Sequence, residues 1–180
     1  ASNTKVIASC SHDTGAAVVG TPAENGQKDW AYLSSGTWSL LGVELDAPVI
    51  TFKSRQYNFT NEVGLNNSIR LLKNISGLWV VQECRRKWEG EGYSYDYSTL
   101  TEMASSASSL KSLINPNDPR FTTSGEMPEK IAAYCIESKQ PVPESHGAFI
   151  RNSLESLALS YRKVLDELEE TTGETLRTLH

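Results

Sequence analysis

Cysteine is scarce. Cys10, Cys84 and Cys135 are the only three in 180 residues, odd in number and far apart. That excludes a disulfide framework, and with no CxxC pair or Cys/His cluster there is no zinc-binding pattern. Reduced thiols in a cytoplasmic protein are the plain reading. Long hydrophobic runs are missing too: no stretch approaches the roughly 20 apolar residues of a membrane span. Positive charge is in deficit, with 17 Lys and Arg against 22 Asp and Glu and a net charge of -5. That balance argues against electrostatic binding of nucleic acid or an anionic membrane. The opening Ala1-Ser2-Asn3-Thr4-Lys5 lacks the layout of a secretory signal. The sequons at Asn58, Asn66 and Asn74 are therefore read as chance in an Asn/Ser/Thr-rich stretch.

What is present suffices for a folded core. Hydrophobic residues make 38% and charged residues 22%, at the length of one domain or a piece of a larger one. Lys5 to Cys10 reads as a buried strand, and Gly15 to Gly20 as a second, paired back through a turn at His12-Asp13-Thr14. A polar loop from Thr21 to Asp29 follows. Trp30 to Ser34 and Thr37 to Leu45 read as a hairpin joined at Ser35-Gly36, and residues 51–66 as irregular. Ile69, Leu72, Ile75 and Leu78/Trp79 fall at helical steps, which predicts a helix from Ile69 to about Trp88. Gly77 within it weakens that helix and suggests that something approaches closely there. Further helices are expected at Ser98 to Leu113 and Met127 to Glu137, the latter with Pro128 where its missing N–H is harmless. The strongest apolar face runs from Phe149 to Leu168, closed by Gly173. Thr178-Leu179-His180 resembles the entry into another strand, so the chain is expected to have been cut there. Strands first, in antiparallel hairpins, then helices, predict an α/β layer.

Several clusters could carry chemistry. Ser11-His12-Asp13-Thr14-Gly15 is the densest, and a carboxylate there can take a proton from a hydroxyl or simply serve a turn. Asp13-Thr14-Gly15-Ala16 also matches the dimeric aspartic-protease signature, although the helical second half does not suit that fold. Ser34-Ser35-Gly36-Thr37 combines exposed N–H groups and hydroxyls, a seat for phosphate oxygens or an ordinary turn. Asn74 and Gln82, eight residues apart, are expected on one helix face. Tyr93, Tyr95 and Tyr97 beside Trp88 are a sugar-stacking platform or, more plainly, partly buried aromatics. Glu167 to Glu170 reads as a solvated helix end.

Taken in order, the segments Ser11-His12-Asp13-Thr14, Ala31 to Leu40 (Ala-Tyr-Leu-Ser-Ser-Gly-Thr-Trp-Ser-Leu), Thr60-Asn61-Glu62, Leu72-Lys73-Asn74-Ile75 with Gly77-Leu78-Trp79, Ile114 to Phe121 (Ile-Asn-Pro-Asn-Asp-Pro-Arg-Phe) and Gln140 to Ser145 resemble the FGGY-type carbohydrate kinases. The likeness is nearest to the rhamnulokinase branch. It implies two domains of actin-like/ribonuclease-H-like fold with a site in the cleft between them, of which this chain is the first part of the second. It implies transfer of the γ-phosphoryl of ATP, with Mg²⁺, to the 1-hydroxyl of L-rhamnulose, a step of rhamnose metabolism. L-fuculose or L-xylulose as the ketose, or an actin-fold binding module without catalysis, are the alternatives. By position Asp13 resembles the catalytic base, and His12, Asp13, Thr14 and Asn74 resemble sugar contacts. Gly36, Thr37 and Gln82 resemble nucleotide contacts, and no residue is assigned to a metal.

Val63 departs from the family pattern, which shows a second glycine after Asn-Glu. The chain is about a third of such a kinase, without an N-terminal domain or the glycine-rich adenine-side segment expected beyond His180. Taken alone it is expected to be inactive and open to self-association through an uncovered sheet edge.

Overall fold

The computed structural model describes residues 4–5, 12–23 and 27–180. The elements run α1 (Asp13–Val19), β1 (Trp30–Ser35), β2 (Trp38–Leu45), α2 (Phe52–Gln56), β3 (Thr60–Val63), β4 (Ile69–Ser76), α3 (Trp79–Gly90), α4 (Tyr97–Ser106), α5 (Met127–Glu137), α6 (His146–Thr172) and β5 (Thr178–Leu179). Two compact units share them. The first comprises Ala1–Ser34, Leu40–Asn74 and Val164–His180, the second Ser35–Ser39 and Ile75–Lys163.

The sheet has the order β3-β4-β2-β1-β5. β3 and β4 are antiparallel with Thr60 opposite Leu72 and Glu62 opposite Arg70, and Arg70 meets that Glu62 carboxylate at 2.9 Å. β5 runs parallel to β1, with Trp30 opposite Thr178, so the expected strand after the long helix is present. The hairpin of β1 and β2 stands where the sequence placed it. β4 does not: Ile69 to Ser76 is a strand, not the start of a helix. Leu71 and Leu72 are both fully buried, so the strand is apolar on both faces. A run of that kind mimics helical spacing, and three apolar residues at three-residue steps cannot separate the two. Residues 51–66 are likewise more regular than expected, since α2 carries a capping box from Thr51 and Ser54 and β3 follows.

α1 overturns a second expectation. Gly15 to Val19 is helical with Gly20 as its cap, and His12-Asp13-Thr14 opens the helix instead of turning a hairpin. Thr14 and Val18, four residues apart, are its buried side, and Val18 packs with Trp30, Tyr32 and Leu72. The expected first strand, Lys5 to Cys10, lies outside the described residues apart from Lys5, as does Ser11. At the far end of this unit Glu167 is buried and accepts from Lys73 at 2.8 Å. Glu170 takes the Tyr57 hydroxyl at 2.6 Å and Lys53 at 2.9 Å. The acidic end of α6 is therefore an anchor, not a solvated terminus.

The second unit is helical. Val80, Val81, Cys84 and Trp88 of α3, Leu100 of α4, Phe121, Ile131 of α5 and Ile150 of α6 form its core. α5 has the expected bounds. α4 stops at Ser106, short of Leu113, because side chains elsewhere take the backbone beyond it. Glu155 accepts from Leu110 N–H, Gln140 from Leu113 N–H and Ser156 from Ile114 N–H. Serine-rich sequence has little propensity to resist that capture. α6 begins at His146 and ends at Thr172, terminated by Gly173 with a φ of +77°.

The tyrosine run packs against this core in part. Tyr95 is half-buried, while Tyr93 and Tyr97 are exposed. The buried Trp88 ring is stacked on His146, with centroids 4.1 Å apart, so that face is closed to a sugar. Tyr93 meets His146 edge-on, and the Tyr95 hydroxyl lies 3.1 Å from its Nδ1. Burial lowers the His146 pKa from its ordinary 6.5, opposed by the Glu91 carboxylate. Around pH 6.5 the folded chain then binds fewer protons here than the unfolded chain, so stability is lost as pH falls through that value. The thermal midpoint should fall on acidification from about pH 7.5 to about pH 5.5 more steeply in the native protein than in His146→Phe, which stacks but cannot titrate. Parallel profiles would remove His146 from that role.

Candidate functional site

In the first unit the site is built on α1. Thr14 N–H donates to Asp13 Oδ1 at 2.7 Å and to His12 Nδ1 at 3.3 Å, so His12 caps the helix. An Nδ1 that accepts leaves Nε2 as the donor of the neutral ring. His12 Nδ1 also lies 3.1 Å from Asp13 Oδ1, and the Asp13 side chain is 94% exposed. Thr14 is buried, with its hydroxyl 3.5 Å from the same oxygen. The first turn thus presents an exposed carboxylate held at one oxygen by a histidine and a threonine. Asn74 is exposed near the end of β4, two residues from the Leu72 that α1 covers. Alternation along the strand puts Asn74 on the face that carries α1. The Asp-Thr-Gly run therefore opens a helix on a mixed sheet, which is not an aspartic-protease setting.

The expected pairing of Asn74 with Gln82 on one helix does not occur. Asn74 is in a strand of the first unit and Gln82 in a helix of the second.

In the second unit Gly36 and Thr37 form the exposed tip between β1 and β2. Their carbonyls are occupied. Leu78 N–H donates to Gly36 O at 2.9 Å, and Trp79 N–H to Thr37 O at 3.1 Å. α3 has no side-chain cap of its own, so the hairpin tip satisfies amides that a helix start leaves unpaired. Gln82 sits one turn further along, its N–H on Leu78 O at 2.9 Å. Thr37 and Gln82 are thereby held on one strapped assembly. Gly77 makes the strap fit: a Cβ there would fall on Gly36 O, within 2.7 Å of Ser39 Oγ and 2.8 Å of the Trp38 carbonyl carbon. The sequence expectation of a close approach at Gly77 holds, though the residue is the joint between strand and helix. The Ser39 hydroxyl is buried 2.7 Å from the Tyr161 hydroxyl of α6.

Sequence reasoning missed what braces this assembly. Ser76 N–H donates to Asn117 Oδ1 at 3.1 Å, the Trp79 indole to Phe121 O at 3.0 Å, and Gly125 N–H to buried Glu83 at 2.9 Å. The Asn-Pro-Asn-Asp-Pro-Arg-Phe block was visible as a motif, but its long-range partners leave no local pattern. A recess of about 460 Å³ between the end of α4 and the start of α6 is lined by Lys111, Arg151 and Asn152 among others, and by none of the candidate residues. Among the described residues no three His, Cys, Asp or Glu side chains gather around a common point, and no helix is long and apolar enough to cross a membrane.

The model of the C-terminal domain of the FGGY family of carbohydrate kinases matches residues 31–180. The chain belongs to this family. The His12-Asp13-Thr14 turn precedes the matched stretch, but similarity to whole relatives extends over it. The chain is 48% identical to the rhamnulokinase of Bacteroides thetaiotaomicron over 175 residues, which are 97% of this chain and 35% of that protein. It is 43% identical to the rhamnulokinase of Enterococcus faecalis over 180 residues, 99% of this chain and 35% of that one. The chain thus spans about a third of the length of these relatives. Xylulose kinase from Bifidobacterium adolescentis shares the fold, with a TM-score of 0.53 at 13% identity over 86% of this chain and 29% of that one. The fold is therefore the partial actin-like α/β domain that the motifs implied.

Gly77→Ala should destabilise the second unit by about 1–3 kcal/mol, because the clash is with backbone that must move. Gly90→Ala, at a helical glycine with nothing within 4 Å of its would-be Cβ, should be neutral or stabilising by up to about 1 kcal/mol. Urea midpoints of the two variants would show the contrast, and equal effects would refute the strap at Gly77.

Proposed function

We propose that this chain is the first part of the C-terminal domain of an ATP-dependent sugar kinase that phosphorylates the 1-hydroxyl of L-rhamnulose. The observation that carries the reading is the exposed Asp13 carboxylate at the start of α1, on the sheet face that also bears Asn74. The choice of ketose rests on the relatives at 43–48% identity, which are rhamnulokinases. In the proposed step the 1-hydroxyl oxygen bonds to the γ-phosphorus of ATP, the bond from that phosphorus to the β,γ-bridging oxygen breaks, and ADP leaves. The hydroxyl proton passes to Asp13, and the product is L-rhamnulose 1-phosphate. Transfer of this kind depends on positioning and on neutralising charge more than on covalent chemistry by the protein.

His12, Thr14 and Asn74 would contact the sugar, and Thr14, whose hydroxyl lies 3.5 Å from Asp13 Oδ1, would also hold the carboxylate. Gly36 and the Thr37 hydroxyl would meet phosphate oxygens, and Gln82 would contact the nucleotide. Mg²⁺ would enter with ATP and supply positive charge against its phosphates, with no residue of this chain assigned to hold it. An N-terminal domain and a glycine-rich segment would complete the cleft, so the 180-residue chain alone is expected to turn nothing over. The outer strand β5 offers that chain an edge for self-association. Buried free thiols at Cys84 and Cys135 and the use of ATP suit the cytoplasm.

In the full-length enzyme, Asp13→Asn should lower kcat by roughly 10²–10⁴-fold with little change in sugar affinity. A variant that keeps more than half of the native kcat would exclude Asp13 as the base. Thr37→Val preserves shape and removes the hydroxyl. It should raise KM for ATP and leave KM for the ketose nearly constant, whereas the opposite split would assign the tip to the sugar.

A further inference from the structure

The segment that leaves β4 and enters α3 is held from two sides. On one side Leu78 and Trp79 give their N–H groups to the hairpin tip. On the other Ser76, which is buried, gives its N–H to Asn117 Oδ1 at 3.1 Å. Asn117 stands on a loop that is itself tied by hydrogen bonds. Asn115 O accepts from Asp118 N–H at 2.9 Å, and Asn115 Oδ1 from Asn117 N–H at 3.2 Å. Asp118 accepts from Arg120 N–H at 3.0 Å, and the Arg120 guanidinium reaches Glu137 of α5 at 2.8 Å. Phe121, at the end of the same loop, is fully buried and its carbonyl takes the Trp79 indole. A fixed amide oxygen thus sets where Ser76 sits, and Ser76 is followed directly by the Gly77 that lies against Gly36, Trp38 and Ser39.

We propose that Asn117 is a positioning residue for the nucleotide-facing tip: it fixes Ser76, and through Gly77, Leu78 and Trp79 it fixes Gly36 and Thr37. Asn117 acts through its acceptor oxygen and touches neither substrate. The proposal rests on the reading of the tip as a nucleotide contact.

The test compares Asn117→Ala with Asn117→Asp in the full-length protein. Aspartate keeps an oxygen that can accept from Ser76 N–H but has no amide N–H. Asn117→Ala should raise KM for ATP about five-fold, the usual weight of one hydrogen bond, with KM for the ketose unchanged. Asn117→Asp should restore most of the loss. If both variants are equally impaired, the amide N–H matters and the residue contacts the nucleotide directly, which overturns the proposal. An unchanged KM for ATP in Asn117→Ala, or an equal rise for both substrates, also overturns it.

Amide hydrogen exchange supplies a readout that needs no turnover. In Asn117→Ala the amides of Ser76, Leu78 and Trp79 should all exchange faster, and in Asn117→Asp they should return towards native rates. Faster exchange at Ser76 alone would show that the bond is local and that nothing passes to the tip. If the native protein phosphorylates no sugar, the kinase reading fails by itself, and the exchange experiment still decides the coupling.

Discussion

The second unit depends on one exchange of hydrogen bonds: the carbonyls of a hairpin tip cap the helix that follows the next strand but one. Gly36 O and Thr37 O accept the Leu78 and Trp79 amides, so the tip and α3 cannot be placed independently. The arrangement leaves Thr37 exposed while its carbonyl is engaged by α3. A glycine at 77 is the steric condition for it, because any Cβ would occupy space held by Gly36, Trp38 and Ser39. A site made this way gains precision from backbone bonds, which carry no rotamer freedom.

The first unit solves a different problem. Its reactive-looking carboxylate stands at the start of a helix of seven residues, too short to hold itself together without packing. Val18, buried against Trp30, Tyr32 and Leu72, supplies the packing, and the short contacts among His12, Asp13 and Thr14 fix the first turn. Thr14 and Val18, one turn apart, are buried together, and that leaves His12 and Asp13 exposed on the outer side of the first turn.

Much of this was legible in the sequence where local chemistry decides structure. The β1–β2 hairpin announced itself by Ser35-Gly36, α5 by Pro128 and its apolar spacing, and α6 by an apolar face that Gly173 closes. Legibility failed where tertiary context outweighs pattern. Leu71 and Leu72 are buried on opposite faces of β4, which erases the alternation that marks a half-exposed strand. Ala16 and Ala17 suit a helix, but the valines beside them pulled the reading towards a strand. The candidate residues themselves were found by motif, while their grouping was not: Asn74 and Gln82 belong to different elements and different units. The partners of Asn117 and Glu83 escaped notice because they lie about forty residues away, and a contact at that range has no sequence period.

The parallel pairing of β1 with β5 sets the order in which the molecule can be assembled. Trp30 and Thr178 are opposite one another, so that flank of β1 has no partner until a segment far along the chain is available. Pairing over so long a separation is slow, since closure entropy must be met before any contact forms. During that interval a strand bearing Trp30 and Tyr32 offers free backbone groups to any neighbour. Aggregation is therefore favoured in the interval before β5 pairs, and yield should respond to how fast that strand arrives.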